Sequence, residues 1–190
     1  MIFVKTIKNF ISNDECKIII EKFDVEKELY DSLLYNPKEG INLNKKYRDS
    51  RQNFVDIPEL KYKINELIKT EIKVKGFEIE QVEENFQFTK YNINSHFDWH
   101  NDSSGYEYRF CTIVIQLNDD YEGGELLYKK NNDNFKYEHE NIVEFERGLG
   151  NLYIFNSSLE HKVNLVTKGV RYSLVNWLNL KPKNDNKTLL

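Results

Sequence analysis

What most limits the fold of this chain is a change of hydrophobic period near residue 77. From there on, short segments rich in β-branched and aromatic residues alternate with clusters of Gly, Asn and Asp. The pattern predicts strands at 77–82, 85–92, 109–117, 125–130, 141–146, 151–155, 161–166 and 170–178. The breaks fall at Asn101 to Gly105, Asn118 to Gly124, Asn131 to Asn134 and Gly148 to Gly150. Many short strands at close intervals imply an α+β, mainly β fold built on a sandwich or jelly-roll barrel.

Before residue 77 the regular segments read as helical. Ser12 and Glu15 make a capping box ahead of Cys16, Ile19, Ile20 and Phe23 at helical spacing. A second helix is expected from Asp56, with Pro58 in its first turn, Glu59 closing a second capping box, and Leu60, Ile64, Leu67 and Ile68 on one face. Such faces need a sheet to cover them, so the N-terminal helices are expected to pack on one sheet. Residues 1–180 are read as a single domain, with 1–75 a helical support region and 76–180 the jelly-roll core. The segment 181–190 reads as a flexible tail.

Composition supports strands and narrows the function. Alanine is absent, Asn and Lys are plentiful, and the apolar residues are mainly Ile, Leu, Val, Phe and Tyr. The net charge of −4 has acids and bases interleaved, leaving no basic face for nucleic acid. The opening apolar residues are interrupted by Lys5 and Lys8, and no later run could span a bilayer, so no membrane partner is expected and the cytoplasm is the expected location. Cys16 and Cys111 form no metal-type or redox pair and read as small buried side chains.

Four histidines are present, at 96, 100, 139 and 161. The segment 91–102 holds two overlapping His-x-carboxylate pairs, His96/Asp98 and His100/Asp102, and either could present both groups on one face of a strand. A facial iron(II) site needs two imidazoles and one carboxylate, leaving adjacent positions open. His161, which opens a strand after the Asn156 to Ser158 turn, is the natural distant ligand. His139 sits in a hydrophilic stretch and reads as a solvated surface residue. The run Lys46 to Arg51 reads as a solvated loop, and 35–55 is a weak candidate for a loop covering substrate.

Taken in order, Tyr91, the His-x-Asp pair nine positions later, Arg109, Thr112, Leu117-Asn118 and the Tyr121 to Leu126 turn resemble the prolyl-4-hydroxylase-like branch of the 2-oxoglutarate/iron(II) oxygenases. Gly150 to Leu152, Phe155, His161, Gly169, Arg171, Ser173 and Trp177 continue the resemblance, which covers roughly 88–178. It implies a double-stranded β-helix (jelly-roll, cupin-like) core and iron(II) held by His100, Asp102 and His161. Arg171, ten positions after His161, would take the far carboxylate of 2-oxoglutarate, and Tyr91 would help bind that co-substrate. Gln116 departs from relatives that carry a co-substrate-binding Tyr there.

The resemblance further implies a dioxygenase that hydroxylates an unactivated C–H bond with oxygen and 2-oxoglutarate, releases succinate and CO2, and uses ascorbate. A prolyl residue in a peptide is the leading substrate, ahead of a free amino acid or small metabolite. The sequence does not specify an oligomeric state. A lapsed jelly-roll binding module and a zinc hydrolase using the same ligands are the competing classes. The hydrolase has no use for Arg171. Trp99 and Trp177 read as core or cavity-wall residues, and Arg109 as a sheet-edge salt bridge or a substrate contact.

Overall fold

The computed structural model describes residues 3–36, 40–72, 77–104, 109–130 and 141–182. Its larger sheet is antiparallel and contains β1 (Val4–Ile7), β2 (Tyr30–Asp31), β6 (Arg51–Val55), β7 (Phe77–Ile79), β8 (Phe86–Tyr91), β10 (Arg109–Gln116), β14 (Leu152–Asn156) and β17 (Arg171–Pro182). The order is β1-β14-β10-β17-β8-β6-β2, with β7 added to the far end of β17. A second sheet has the order β13-β12-β15-β9-β5, from Ile142–Glu144, Leu126–Lys129, His161–Val163, His96–His100 and Arg48–Asp49 respectively. Two short pairs complete the strands, β3 (Leu34–Asn36) with β4 (Gly40–Asn42) and β11 (Glu122–Gly123) with β16 (Val166–Lys168).

Alternation along the central strands explains the layering. Ile113 and Ile115 of β10 point away from the second sheet, into a core shared with α1 (Asn13–Phe23) and α2 (Pro58–Glu71). Between them Val114 points the other way, into a second core with Tyr153, Phe155, Leu126, Phe145 and Val163. The helices therefore cover one face of the larger sheet, and the smaller sheet covers the other. This is the jelly-roll expected from the sequence, with the helices where their apolar faces require them.

The first helix begins as expected. Ser12 Oγ accepts from the Glu15 amide at 3.2 Å, and the Glu15 carboxylate accepts from the Ser12 amide at 2.8 Å. The second capping box does not form. Ile57 occupies the cap position with no side-chain bond, and Asp56 instead pairs with Lys61 at 2.6 Å. Leu60, Ile64 and Ile68 are buried as anticipated.

The reading of 1–75 as helical is corrected by six short strands, β1 to β6. The longest has five residues, and several carry polar side chains on both faces, so none offers an apolar period. β1 gains its pairing only from β14, with Val4 opposite Phe155. The turn between β1 and α1 comes close to the loop before β14 at Gly150, at φ 72°, where a Cβ would lie 2.0 Å from the Ile11 carbonyl oxygen. β17 runs to Pro182, two residues into the segment expected to be a tail. Cys16 and Cys111 are buried and unbridged. No helix among the described residues is long and apolar enough to cross a membrane.

Candidate metal centre

His100 ends β9 and His161 begins β15, and the two are direct cross-strand partners. Their neighbours, Phe97 and Val163, are also partners, so three residue steps on β9 oppose two on β15. This bulge breaks the simple alternation on β9. It leaves Asp98 exposed and brings the Phe97 and His100 rings onto one side, stacked at 3.5 Å. Asp102 lies in the turn beyond the strand, where its amide donates to the Ser157 carbonyl at 2.8 Å.

The result is a compact triad. His100 Nε2 lies 3.7 Å from Asp102 Oδ1, and His161 Nε2 lies 3.5 Å from Asp102 Oδ2. The ligand atoms of all three residues fall within 4.8 Å of one another. Each imidazole spends its Nδ1–H on a backbone carbonyl 2.8 Å away, His100 on Asp98 and His161 on Leu159. A carbonyl only accepts, so these bonds fix the tautomer that leaves both Nε2 lone pairs facing Asp102. Thr112 Oγ1 donates to Asp102 Oδ2 at 2.7 Å and orients the carboxylate.

Electrostatics keep the set competent to bind a cation at neutral pH. Burial, reinforced by the repulsion of His161, pulls the His100 imidazole down to about 3, so its nitrogen is free of a second proton. Burial works to raise the pKa of Asp102, but the attraction of His161 and His100 and the Thr112 hydroxyl outweigh it and keep the group anionic. The other pair stands apart. His96 places Nε2 3.1 Å from the Lys46 carbonyl, and Asp98 accepts from the Trp99 amide at 2.8 Å. His139 lies outside the described residues.

A cavity of about 730 Å³ opens beside the triad, and Tyr91, Arg171 and Ser173 form part of its wall. Arg171 starts β17 opposite Tyr91 on β8. It is 1% exposed, and Gly124 makes room for it, since a Cβ there would lie 3.2 Å from Arg171 Cδ. Its Nη1 donates to Ser173 Oγ at 3.0 Å, while Nε and Nη2 are buried without a partner. Two unmet donors on a buried guanidinium form a fork shaped for a carboxylate. This orphaned pair is what a dicarboxylate co-substrate would satisfy, so the residues fit 2-oxoglutarate as well as the metal.

The other expectations resolve unevenly. Tyr91 is buried, with the Arg171 guanidinium 5.3 Å from its ring centre. Gln116 turns away and donates to the Asn118 carbonyl at 2.8 Å and to the Tyr121 hydroxyl. Arg109 lies 3.8 Å over the Trp177 ring, and both line the cavity together with Trp99. The run at 46–51 is not a solvated loop. Arg48, Ser50 and Gln52 are buried at alternate positions, and Arg48 and Gln52 line the cavity. The sequence pattern does not reveal them, because the side chains buried in alternation at 48, 50 and 52 are all polar.

Fold and site together define a jelly-roll protein whose cavity is equipped for a metal ion and a dicarboxylate. Residues 86–179 match the family model for the 2OG-Fe(II) oxygenase superfamily. A PKHD-type hydroxylase of Prochlorococcus marinus (strain MIT 9301) is 30% identical over 118 residues, covering 60% of this chain and 50% of that protein. A Trichoplax adhaerens prolyl hydroxylase, solved with a hypoxia inducible factor oxygen degradation domain peptide fragment, superposes with a TM-score of 0.70 at 16% identity, covering 93% of this chain and 83% of that one. A Pseudomonas putida prolyl-4-hydroxylase gives a TM-score of 0.64 at 18% identity, covering 93% and 92%. Residues 86–179 carry the sequence pattern of the 2-oxoglutarate/iron(II) oxygenase superfamily, and the chain has the fold of prolyl hydroxylases. The matched segment spans about half the length of the first curated relative.

Proposed function

We propose that this chain is an iron(II)- and 2-oxoglutarate-dependent hydroxylase acting on an unactivated C–H bond, in one domain covering 1–180. The observation that carries the reading is the pair of unmet, buried donors on Arg171 in the same cavity as the His100, Asp102 and His161 ligand atoms. Two neutral imidazoles and one carboxylate would hold the metal from one side and leave it one net positive charge, which favours chelation by the keto acid. Arg171 would receive the far carboxylate, with Ser173 holding its Nη1 and the Tyr91 ring beneath it. When bound, iron(II) with 2-oxoglutarate and oxygen supplies the oxidising power that turns C–H into C–OH while the keto acid becomes succinate and CO2. Ascorbate would keep the iron reduced between turnovers.

The protein's share of the work is placement. Thr112 fixes Asp102, the backbone carbonyls fix both imidazoles, and Trp99, Arg109 and Trp177 line the cavity where a target carbon would sit. A prolyl residue in a peptide is the first substrate to test, supported by the prolyl hydroxylases that share the fold. A free amino acid or small metabolite is the second. Nothing in the site calls for nucleic acid or a membrane, and the cytoplasm is the location we assign.

The test is incubation in air with iron(II), 2-oxoglutarate and ascorbate alongside a panel of peptides and amino acids. A mass gain of one oxygen on a substrate, matched by succinate, is the expected result. Hydrolysis of an ester or amide with zinc alone, without any need for 2-oxoglutarate, would overturn the reading.

A further inference from the structure

The cavity contains a second buried guanidinium that the proposed reaction does not use. Arg48, on β5 opposite Phe97 of β9, is 7% exposed and forms part of the cavity wall together with Asp102. Its Nε donates to Ser50 Oγ at 3.0 Å and its Nη2 to Gln52 Oε1 at 3.1 Å, and its Cζ lies 4.5 Å from the Phe97 ring centre. The Tyr91 hydroxyl is a further hydrogen-bond partner, and all of these groups are neutral. Among the described residues, no ion pair of Arg48 with a carboxylate is formed.

A buried guanidinium held only by neutral groups is expensive unless an anion arrives to meet it. Burial already works against its charge. Arginine nevertheless stays protonated at neutral pH, so the cavity must accommodate the cation rather than neutralise it. Asp102 offers partial attraction, but that carboxylate is engaged by Thr112 and faces the two imidazoles.

Charge counting points the same way, given the proposed function on which it rests. A dipositive metal, the Asp102 carboxylate, a doubly charged keto acid and the Arg171 cation sum to zero. Among the buried charges of the wall, Arg48 then remains as one positive charge without a buried counterpart, since the other carboxylates that line the cavity are exposed (Glu84) or paired with Lys129 (Glu160). The keto acid cannot supply the missing anion, because its two carboxylates are already assigned to the metal and to Arg171.

We propose that Arg48 is a specificity-determining residue that binds a carboxylate of the substrate, so that the substrate is an acid bearing its negative charge beside the carbon to be oxidised. The carboxylate is either the free α-carboxylate of a small acid or the acidic side chain of a peptide. Its amide counterpart would leave the guanidinium buried without an anion, which makes Arg48 a filter against neutral analogues as well as an anchor.

The experiment uses the full chain loaded with manganese(II) and saturating 2-oxoglutarate under nitrogen, so that Arg171 is occupied and no turnover occurs. Calorimetry first confirms that both bind, and failure at that stage refutes the proposed function itself. One arm then titrates N-acetyl amino acids, including N-acetylproline, against their amides. The other titrates capped Glu-Pro peptides against capped Gln-Pro peptides. In at least one arm the acid should bind about 30-fold or more tightly than its amide, the ratio given by ~2 kcal/mol for a charge-assisted hydrogen bond. The arm that shows the preference identifies the source of the carboxylate. Arg48→Gln should abolish the preference while leaving 2-oxoglutarate affinity unchanged, and Arg48→Lys should keep part of it. Equal binding of acid and amide in the unmodified protein, or failure of every acid to bind, overturns the proposal without needing a folded variant. So does a loss of 2-oxoglutarate affinity in Arg48→Gln, which would give Arg48 to the co-substrate.

Discussion

At the scale of single residues, the site separates groups that would hold the metal from groups that position them. His100→Ala, Asp102→Ala and His161→Ala should each abolish iron(II) binding in an anaerobic titration, whereas His96→Ala and Asp98→Ala should retain it. The latter two residues are occupied by the backbone of Lys46 and Trp99, away from the triad. Iron loss in Asp98→Ala with retention in Asp102→Ala would reverse the assignment. Thr112 is fully buried and reaches Asp102 only through its hydroxyl, so Thr112→Val keeps the shape and removes the bond. Removing such a support typically lowers metal affinity about 10- to 100-fold. Unchanged affinity in Thr112→Val would show that the carboxylate needs no help from that hydroxyl. Arg171→Ala should leave iron affinity intact and cost about 3–5 kcal/mol in 2-oxoglutarate binding, a loss of more than a hundredfold. Unaltered 2-oxoglutarate affinity would remove Arg171 from the co-substrate site.

At the scale of elements, legibility in the sequence follows how local the determining contacts are. The α1 cap lies within four residues and was readable, as was the burial of Leu60, Ile64 and Ile68 on α2. The box at Asp56 failed because Lys61 captures the Asp56 carboxylate and Ile57 takes the cap. Of the short strands of residues 4–55, β1, β5 and β6 were hidden because their pairing comes from β14, β9 and β8, far along the chain. The β9 bulge was equally hidden. Strand alternation alone left two His-x-carboxylate pairs open, the nine-residue spacing from Tyr91 in the family resemblance pointed to His100, and the three-against-two register with β15 puts His100 on the cavity wall. The α1 cap also yields a pH prediction. The Lys63 side chain, with the Ser12 amide, holds Glu15 down at about 2 from an ordinary 4.5. A depressed carboxylate stabilises the folded state above its unfolded pKa and loses that contribution as pH falls through its folded value. Glu15→Gln should therefore melt below the unmodified protein at neutral pH, and the gap should close between about 4.5 and about 2. A gap that persists at the acid end would show that hydrogen-bond geometry, not charge, carries the cap.

At the scale of the whole molecule, the two sheets and the loops between them bring one cavity together from distant parts of the chain, and ligand binding should be felt as global stability. Metal would join β9, the turn at Asp102 and β15, while the keto acid would tie that cluster to β17 through Arg171. A ligand that binds only the folded state at a hundred times its Kd adds about 2.7 kcal/mol. For a chain of this size that corresponds to a rise in Tm of roughly 5–11 °C. Manganese(II) should produce such a rise alone. 2-Oxoglutarate should produce a second rise only after the metal, because most of its chelating groups need the metal and Arg171 offers a single anchor. The variants separate the two steps in one thermal scan. Asp102→Ala should lose both rises, whereas Arg171→Ala should keep the first and lose the second. An equal 2-oxoglutarate shift with and without manganese would mean that the keto acid sits on the arginines and not at the triad, and the arrangement argued from His100, Asp102, His161 and Arg171 would fall together.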